Sequence, residues 1–329
     1  MIRRFFLAVL VLCVLAAVTV GGGWLWFSKE IAREGPHAAD EIVLIPPGSH
    51  IQAIAKTLVE RGIVRSGLLF RLAGRLRKAD RALKSGEFRI PARASVTGVL
   101  DMLTKGEAVT RMFTIPEGLT VAEALEIVAK AEGLLGPLPP LPDEGRLLPE
   151  TYHYAYYDTK VQAVRRMEQA MDAALAKAWA GRDDGLPLNS PAEALVLASI
   201  VEKETGVTAE RARVAGVFLN RLKRGMKLQS DPTVIYGLTQ GKAPLGRDLT
   251  RADLEASTPW NTYAIQGLPP TPIANPGLAA IDAVLHPEAT KDLYFVADGT
   301  GGHAFAETLM EHNRNVMMWR KNQKNRNKN

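Results

Sequence analysis

Cysteine is almost absent from this 329-residue chain. The one present, Cys13, falls in the apolar opening run, so the rest of the chain is free of thiols. That excludes disulfides and thiolate metal sites from the body, which must hold by packing alone. Several motifs are missing as well. There is no HExxH, no phosphate-cradling glycine loop with lysine and no GxSxG nucleophile turn, and His303 and His312 lack a zinc spacing. No cofactor and no metal is implied. A true excess of positive charge is also lacking: of the net +6, five charges come from Arg320, Lys321, Lys324, Arg326 and Lys328, which leaves the body at +1. A nucleic-acid partner loses its support, and residues 320–329 read as a basic, solvated and disordered tail able to touch anionic lipid or wall polymer.

What is present begins with Arg3 and Arg4, followed by an uncharged run of 24 residues from Phe5 to Ser28 with Trp24, Trp26 and Phe27 at its far end. At 1.5 Å per residue the run spans roughly 36 Å, enough for a bilayer core. The arginines place residues 1–4 in the cytoplasm and the tryptophans at the opposite interface, so 5–27 reads as a transmembrane anchor with the remainder exported. A cleaved signal peptide competes, but the run is long for one and no small-x-small site follows. Leu12 before Cys13 argues against a lipoprotein box.

The remaining 300 or so residues suffice for two or three domains. Residues 40–108 read as a compact module. Ile42–Ile45 is a strand, PPGS a turn, Ser49 caps a helix to about Glu60, Ser66 opens a second helix, and Gly86–Ile90 returns as a strand. Ser95–Leu103 adds a short helix. A strand near 112 and a helix over 120–131 echo the first strand, turn and helix. Between Arg71 and Lys84 six cations cluster, either as a solvated helix face or as an attraction to anionic polymer or headgroups. GPLPPLP at 136–142 is a linker or rigid arm. Tyr152, Tyr154, Tyr156 and Tyr157 follow it, suited either to stacking on sugars or to an interface.

The organising stretch is PAEALVLASIVEKET, 191–205. Ser190 is a helix cap, Pro191 fits the first helical position, and Glu193 lies three residues past the cap. Three, four and seven residues back from Glu204 are Val201, Ile200 and Leu197, so this carboxylate lies on an apolar stripe, while Glu202 points elsewhere. Desolvation raises the proton affinity of such an acid, and an acid protonated near neutral pH is what glycosidic cleavage needs. A structural acid paired with arginine or backbone amides would occupy the same position. After a helix over 211–223, Gln229, Ser230, Asp231, Thr233 and Tyr236 gather, with Asp231 before Pro232 expected in an extended or turn geometry rather than continuing a helix. Trp260, Asn261, Tyr263 and Gln266 suit a fixed loop over a cleft. LYFVADGTGGHAFAETLMEHN reads as a strand, a glycine turn and a helix carrying His303 and His312.

The strings ASIVEKET, VFLNRL, LQSDPTVIYG, NTYAIQGLPPTPIANPG and LYFVADGTGGHAF occur in one order. In that order the chain, over about 40–317, resembles the bacterial endolytic murein transglycosylase family, MltG, also called YceG-like. The resemblance implies an α+β protein with a single N-terminal transmembrane helix, a LysM-like subdomain over 40–108 and a catalytic domain over 109–319. It implies an inner-membrane enzyme cutting peptidoglycan glycan strands from the extracytoplasmic side, with Glu204 as catalytic acid and 1,6-anhydro-muramyl ends as product. Gln229, Asp231, Asn261 and Tyr263 are the candidates for sugar contacts or for positioning Glu204, and Tyr236 and Tyr152 for lining. Other readings stay open: a hydrolase using water with Asp231, and a noncatalytic scaffold that retains glycan or recruits peptidoglycan synthases.

Overall fold

The computed structural model describes residues 2–326, a mixed α+β chain with one long N-terminal apolar helix, α1 (Ile2–Ala32). This helix is long and apolar enough to cross a membrane, and none of its apolar window is buried in the protein. The chain divides into two compact units, one of residues 1–111 with 153–158, the other of 112–152 with 159–329.

The first unit holds β1 (Glu41–Ile45), α2 (Ile51–Glu60), α3 (Gly67–Leu76), β2 (Gly86–Ile90) and α4 (Val96–Lys105). β1 and β2 pair antiparallel with Val43 opposite Phe88, and these two with Ile45 and Ile90 form the buried face of the ribbon. The helices close over it with Ile54, Leu58, Phe70, Val99, Leu100 and Leu103. Ser66 and Ser95 cap α3 and α4 by accepting from Leu69 N and Gly98 N. Ser49 does not cap α2. Its N–H is used in the turn to Pro46, and the first helical turn closes on the carbonyl of His50, one residue later.

β3 (Thr110–Thr114) and β4 (Thr151–Ala155) form a two-stranded sheet. Between them lies α5 (Val121–Lys130), held by the reciprocal Thr120–Glu123 capping box. Then follow α6 (Lys160–Ala180), α7 (Pro191–Glu204), α8 (Arg211–Lys223), α9 (Asp231–Thr239), α10 (Arg251–Glu255), α11 (Leu278–Leu285), the hairpin of β5 (Tyr294–Ala297) and β6 (His303–Ala306), and α12 (Leu309–Arg326).

Two expectations are corrected here. Asp231 does not hold the chain extended but is the first residue of α9, because Pro232 in the first turn needs no intrahelical N–H partner and its fixed φ suits a helix. His303 lies in β6, paired with Ala297, and not in the helix that carries His312. α12 runs from Leu309 to Arg326, and 327–329, the end of the basic tail, lie outside the described residues.

The core of the second unit is α7. Its eight residues Ala194–Val201 are all buried, so the helix is enclosed on every side rather than along one stripe. Leu197, Ile200 and Val201 pack with Val214 and Phe218 of α8 and Ile281 and Val284 of α11. Ser199, also buried, is satisfied by donating to Val196 O at 2.7 Å and accepting from Ile273 N at 3.0 Å. Ser190 caps the helix, accepting from Glu193 N at 3.2 Å, while the Glu193 carboxylate takes the N–H of Asn189 at 2.7 Å, one residue before the cap.

Gly216 sets how closely α8 approaches the 288–290 backbone. A Cβ there would stand 2.8 Å from the Glu288 carbonyl oxygen and 2.9 Å from Thr290 Cγ2. Alanine favours a helix over glycine by about 1 kcal/mol, but overpacking against backbone costs about 1–3 kcal/mol. Gly216→Ala is therefore expected to lower stability, measured by denaturant unfolding. An unchanged or raised midpoint would mean that the approach is not needed.

Candidate active site

Glu204 is the last helical residue of α7. Thr205 behind it is extended and buried, its hydroxyl taking Val207 N at 3.0 Å, so the chain leaves the helix there and the Glu204 carboxyl faces α8, α9 and the 260s loop. Ser230 donates its hydroxyl to Glu204 Oε1 at 2.5 Å. Burial pushes the Glu204 carboxyl up to about 7. The Ser230 hydrogen bond pulls the other way, Asp231 next to it raises the value, and His303 and Arg221 lower it. The helix C-terminus adds to the rise, because its carbonyls disfavour a negative charge.

A buried polar lattice holds the serine. Ser230 N donates to Thr262 Oγ1 at 2.9 Å, Thr233 donates to Ser230 O at 2.6 Å, and the two threonine hydroxyls lie 2.8 Å apart. Gln229 N donates to Thr262 O, and Gln229 sits at φ 52°, a left-handed conformation that turns the chain into α9. Its side-chain oxygen accepts from Arg221 Nη1 at 3.4 Å. Asp231 Oδ1 accepts the Tyr263 hydroxyl at 2.6 Å.

Asn261 is fully enclosed. Its amide donates to the carbonyls of Leu254 and Ala256 at 3.0 and 2.7 Å, and its oxygen accepts from Tyr263 N at 2.9 Å. The side chain is spent on its own loop, so it places Tyr263 rather than reaching a ligand. Tyr236 and Tyr152 do not join the group. Tyr236 packs edge-on against Trp260 with its hydroxyl toward Glu144, and Tyr152 stacks on Phe113 and donates to Leu148 O at 2.7 Å. Glu202 is tied elsewhere: it accepts Gly277 N at 3.0 Å and pairs with Arg211 at 3.3 Å.

Three groups at the site, Ser230, Arg221 and His303, are not among the site candidates chosen from the sequence. Ser230 stands between the chosen Gln229 and Asp231. Arg221 follows Val214, Val217 and Phe218 at helical spacing, an odd cation on an inward stripe by the same logic that marked Glu204. It is buried, donating to Leu293 O at 2.6 Å and Leu228 O at 2.8 Å, with its guanidinium over Tyr294. His303, brought in by the hairpin, has Nδ1 2.8 Å from Glu210 Oε2, and its backbone N–H also goes to Glu210. No signal in the sequence links residues 210 and 303.

This chain belongs to the YceG-like family, whose pattern matches residues 43–318. Among its relatives, a Bacillus subtilis protein named endolytic murein transglycosylase is 31% identical over 301 residues, 82% of each chain. A Streptococcus pneumoniae protein of the same name is 32% identical over 321 residues, 83% of this chain and 57% of its own length, so the chain spans just over half of that relative. The crystal structure of a YceG-like protein from Listeria monocytogenes is similar with a TM-score of 0.51 and 29% identity, covering 84% of this chain and 99% of that one.

Two predictions follow from the site's energetics. The Glu204 carboxyl has a folded value of about 7 against 4.5 when unfolded, so the native state holds the extra proton between these limits and loses stability as pH rises through them. Glu204→Gln, which can still accept from Ser230, is expected to match the wild type below pH 4.5 and to exceed it by up to about 3 kcal/mol above pH 7 in thermal unfolding. A difference independent of pH would contradict the raised value. Asn261→Ala strips donors from two carbonyls and should cost about 2–4 kcal/mol; a loss below about 0.5 kcal/mol would show that the loop stands without it.

Proposed function

We propose that this protein is a membrane-anchored endolytic lytic transglycosylase that cleaves the β-1,4 bond between N-acetylmuramic acid and N-acetylglucosamine inside peptidoglycan strands. The observation that carries the proposal is Glu204: a single carboxyl, protonated near neutral pH and held at 2.5 Å by a buried serine, in a family whose relatives carry that activity in their names. α1 is the anchor, crossing the inner membrane once with Arg3 and Arg4 on the cytoplasmic side and the body outside. The β1–α2–α3–β2 unit is a LysM-like subdomain that holds glycan, and 109–319 is the catalytic domain. Peptidoglycan synthases are the class of protein partner consistent with work on new strands near the membrane.

The neutral Glu204 donates its proton to the linkage oxygen as the glycosidic bond breaks, and positive character develops at the muramyl anomeric carbon. The resulting carboxylate, favoured by Arg221, His303 and the Ser230 hydroxyl, takes the proton from the sugar's own C6 hydroxyl as that oxygen closes on the anomeric carbon. A 1,6-anhydro end forms, and Glu204 is returned protonated. The substrate's hydroxyl replaces water through proximity, so one acid serves where hydrolysis employs two. Gln229, Asp231 and Tyr263 line the side of Glu204 from which the sugar is oriented, with Tyr263 and Asp231 fixed by their mutual hydrogen bond.

Mass spectrometry of products from purified glycan strands tests this. Anhydro-muramyl ends are expected, with a loss of about 10²–10⁴-fold in Glu204→Gln, and the rate should fall as pH rises past about 7 because the acid must carry its proton. Reducing ends would instead assign a hydrolase with Asp231 directing water, and cleavage unaffected by Glu204→Gln would remove the residue from the chemistry.

A further inference from the structure

α3 turns an apolar row toward the solvent. Its core side is Phe70, Ala73 and Gly74, whereas Leu68, Leu72 and Leu76 stand 57, 40 and 58% exposed on the other side. Spaced by four residues, these leucines form one continuous row. Cations surround it. Arg71 and Arg75 lie within the helix, and Arg77, Lys78 and Arg81 follow it. Arg77 pairs with Asp101 at 3.2 Å, but Arg75, Lys78 and Arg81 make no ion pair among the described residues. An exposed apolar row rimmed by free cations is the pattern of a helix that lies in a membrane interface.

The same unit receives the end of α1. Phe27 and Ile31 pack against its core, and Glu30 and Arg33 lie beside Ser66 and Leu69, where α3 begins. Trp24 and Trp26, the interfacial anchors, are exposed just before Phe27. From Trp24 to Phe27 the helix rises about 4.5 Å, less than the headgroup layer of a bilayer. No flexible linker separates the span from the unit that bears the leucine row.

We infer that α3 docks on the anionic headgroups of the bilayer that α1 crosses, with Leu68, Leu72 and Leu76 at the acyl boundary and Arg75, Lys78 and Arg81 against phosphates. This rests on the reading of α1 as a membrane anchor. An anionic wall polymer would answer the cations, but it offers nothing to three adjacent leucines. A second attachment beside the span stops the unit from rotating about the α1 axis and fixes which of its faces looks away from the membrane.

The full chain in nanodiscs of phosphatidylglycerol and phosphatidylethanolamine provides the test. With Cys13→Ser as background, a fluorophore on Leu76→Cys is compared with one on Arg89→Cys, which is exposed on the face of β2 opposite the core. A headgroup-attached quencher is expected to remove most of the Leu76 emission and little of the Arg89 emission. The docked fraction relative to undocked should fall about fivefold for each of Arg75, Lys78 and Arg81 changed to glutamine. Equal quenching at the two positions, none at Leu76, or shielding of Leu76 only after glycan strands are added would overturn the inference. Cys13, labelled in the otherwise native chain, reports on the anchor separately. Its access to an aqueous quencher would sink the anchor reading, whereas a lipid-buried Cys13 with an unquenched Leu76 sinks only the docking.

Discussion

Everything at the site depends on a half-buried carboxyl group whose charge is poorly solvated. α7 is enclosed by its neighbours over eight consecutive residues, and Glu204 comes at the point where that enclosure ends. Its charge is unfavourable there for three separate reasons, burial, the neighbouring Asp231 and the carbonyl end of the helix. Arg221, His303 and the Ser230 hydroxyl supply enough compensation to hold the balance near neutrality rather than far above it. The group therefore exchanges its proton at little cost in either direction, which is what a residue acting first as acid and then as base requires.

That balance is only as good as the positions of the compensating groups, and they come from distant parts of the chain. Ser230 is set by two threonine hydroxyls and a backbone N–H that join the start of α9 to the 260s loop. Asn261 then closes the loop on itself through Leu254 and Ala256. Buried networks of this kind are costly when incomplete and rigid when satisfied. Here every member has its partners, so the loop that carries Tyr263 is fixed without needing a ligand to order it. His303 is held in the same manner, with Glu210 taking both its ring and its backbone N–H.

The first unit is built differently. Its ribbon and helices bury one face each in the ordinary way, but α3 leaves leucines outside and α1 drives its last aromatic turn into the core. A water-soluble module of this size would be expected to turn polar residues outward at those positions.

Much of this was legible in the sequence, and for identifiable reasons. Helix periods, serine and threonine caps and proline positions are local, so α4, α5, α7 and α8 are readable to within a residue or two, and the odd acid on an apolar face marks Glu204. Where local signals were ambiguous, the structure decided. Pro232 could end a helix or begin one, and it begins α9; the glycine turn before His303 leads to a strand, because Ala297 is there to pair with it. Asn261 and Tyr263 look alike as polar loop residues, yet one is consumed by its loop and the other meets Asp231. The sequence alone determined which residue types were at hand and where the helices would run, because propensity and periodicity act over a few residues. Only the tertiary structure decided which groups surround Glu204, because the Ser230 donor and the charges of Arg221 and His303 come from the start of α9, α8 and β6, and their meeting depends on packing that no local spacing encodes.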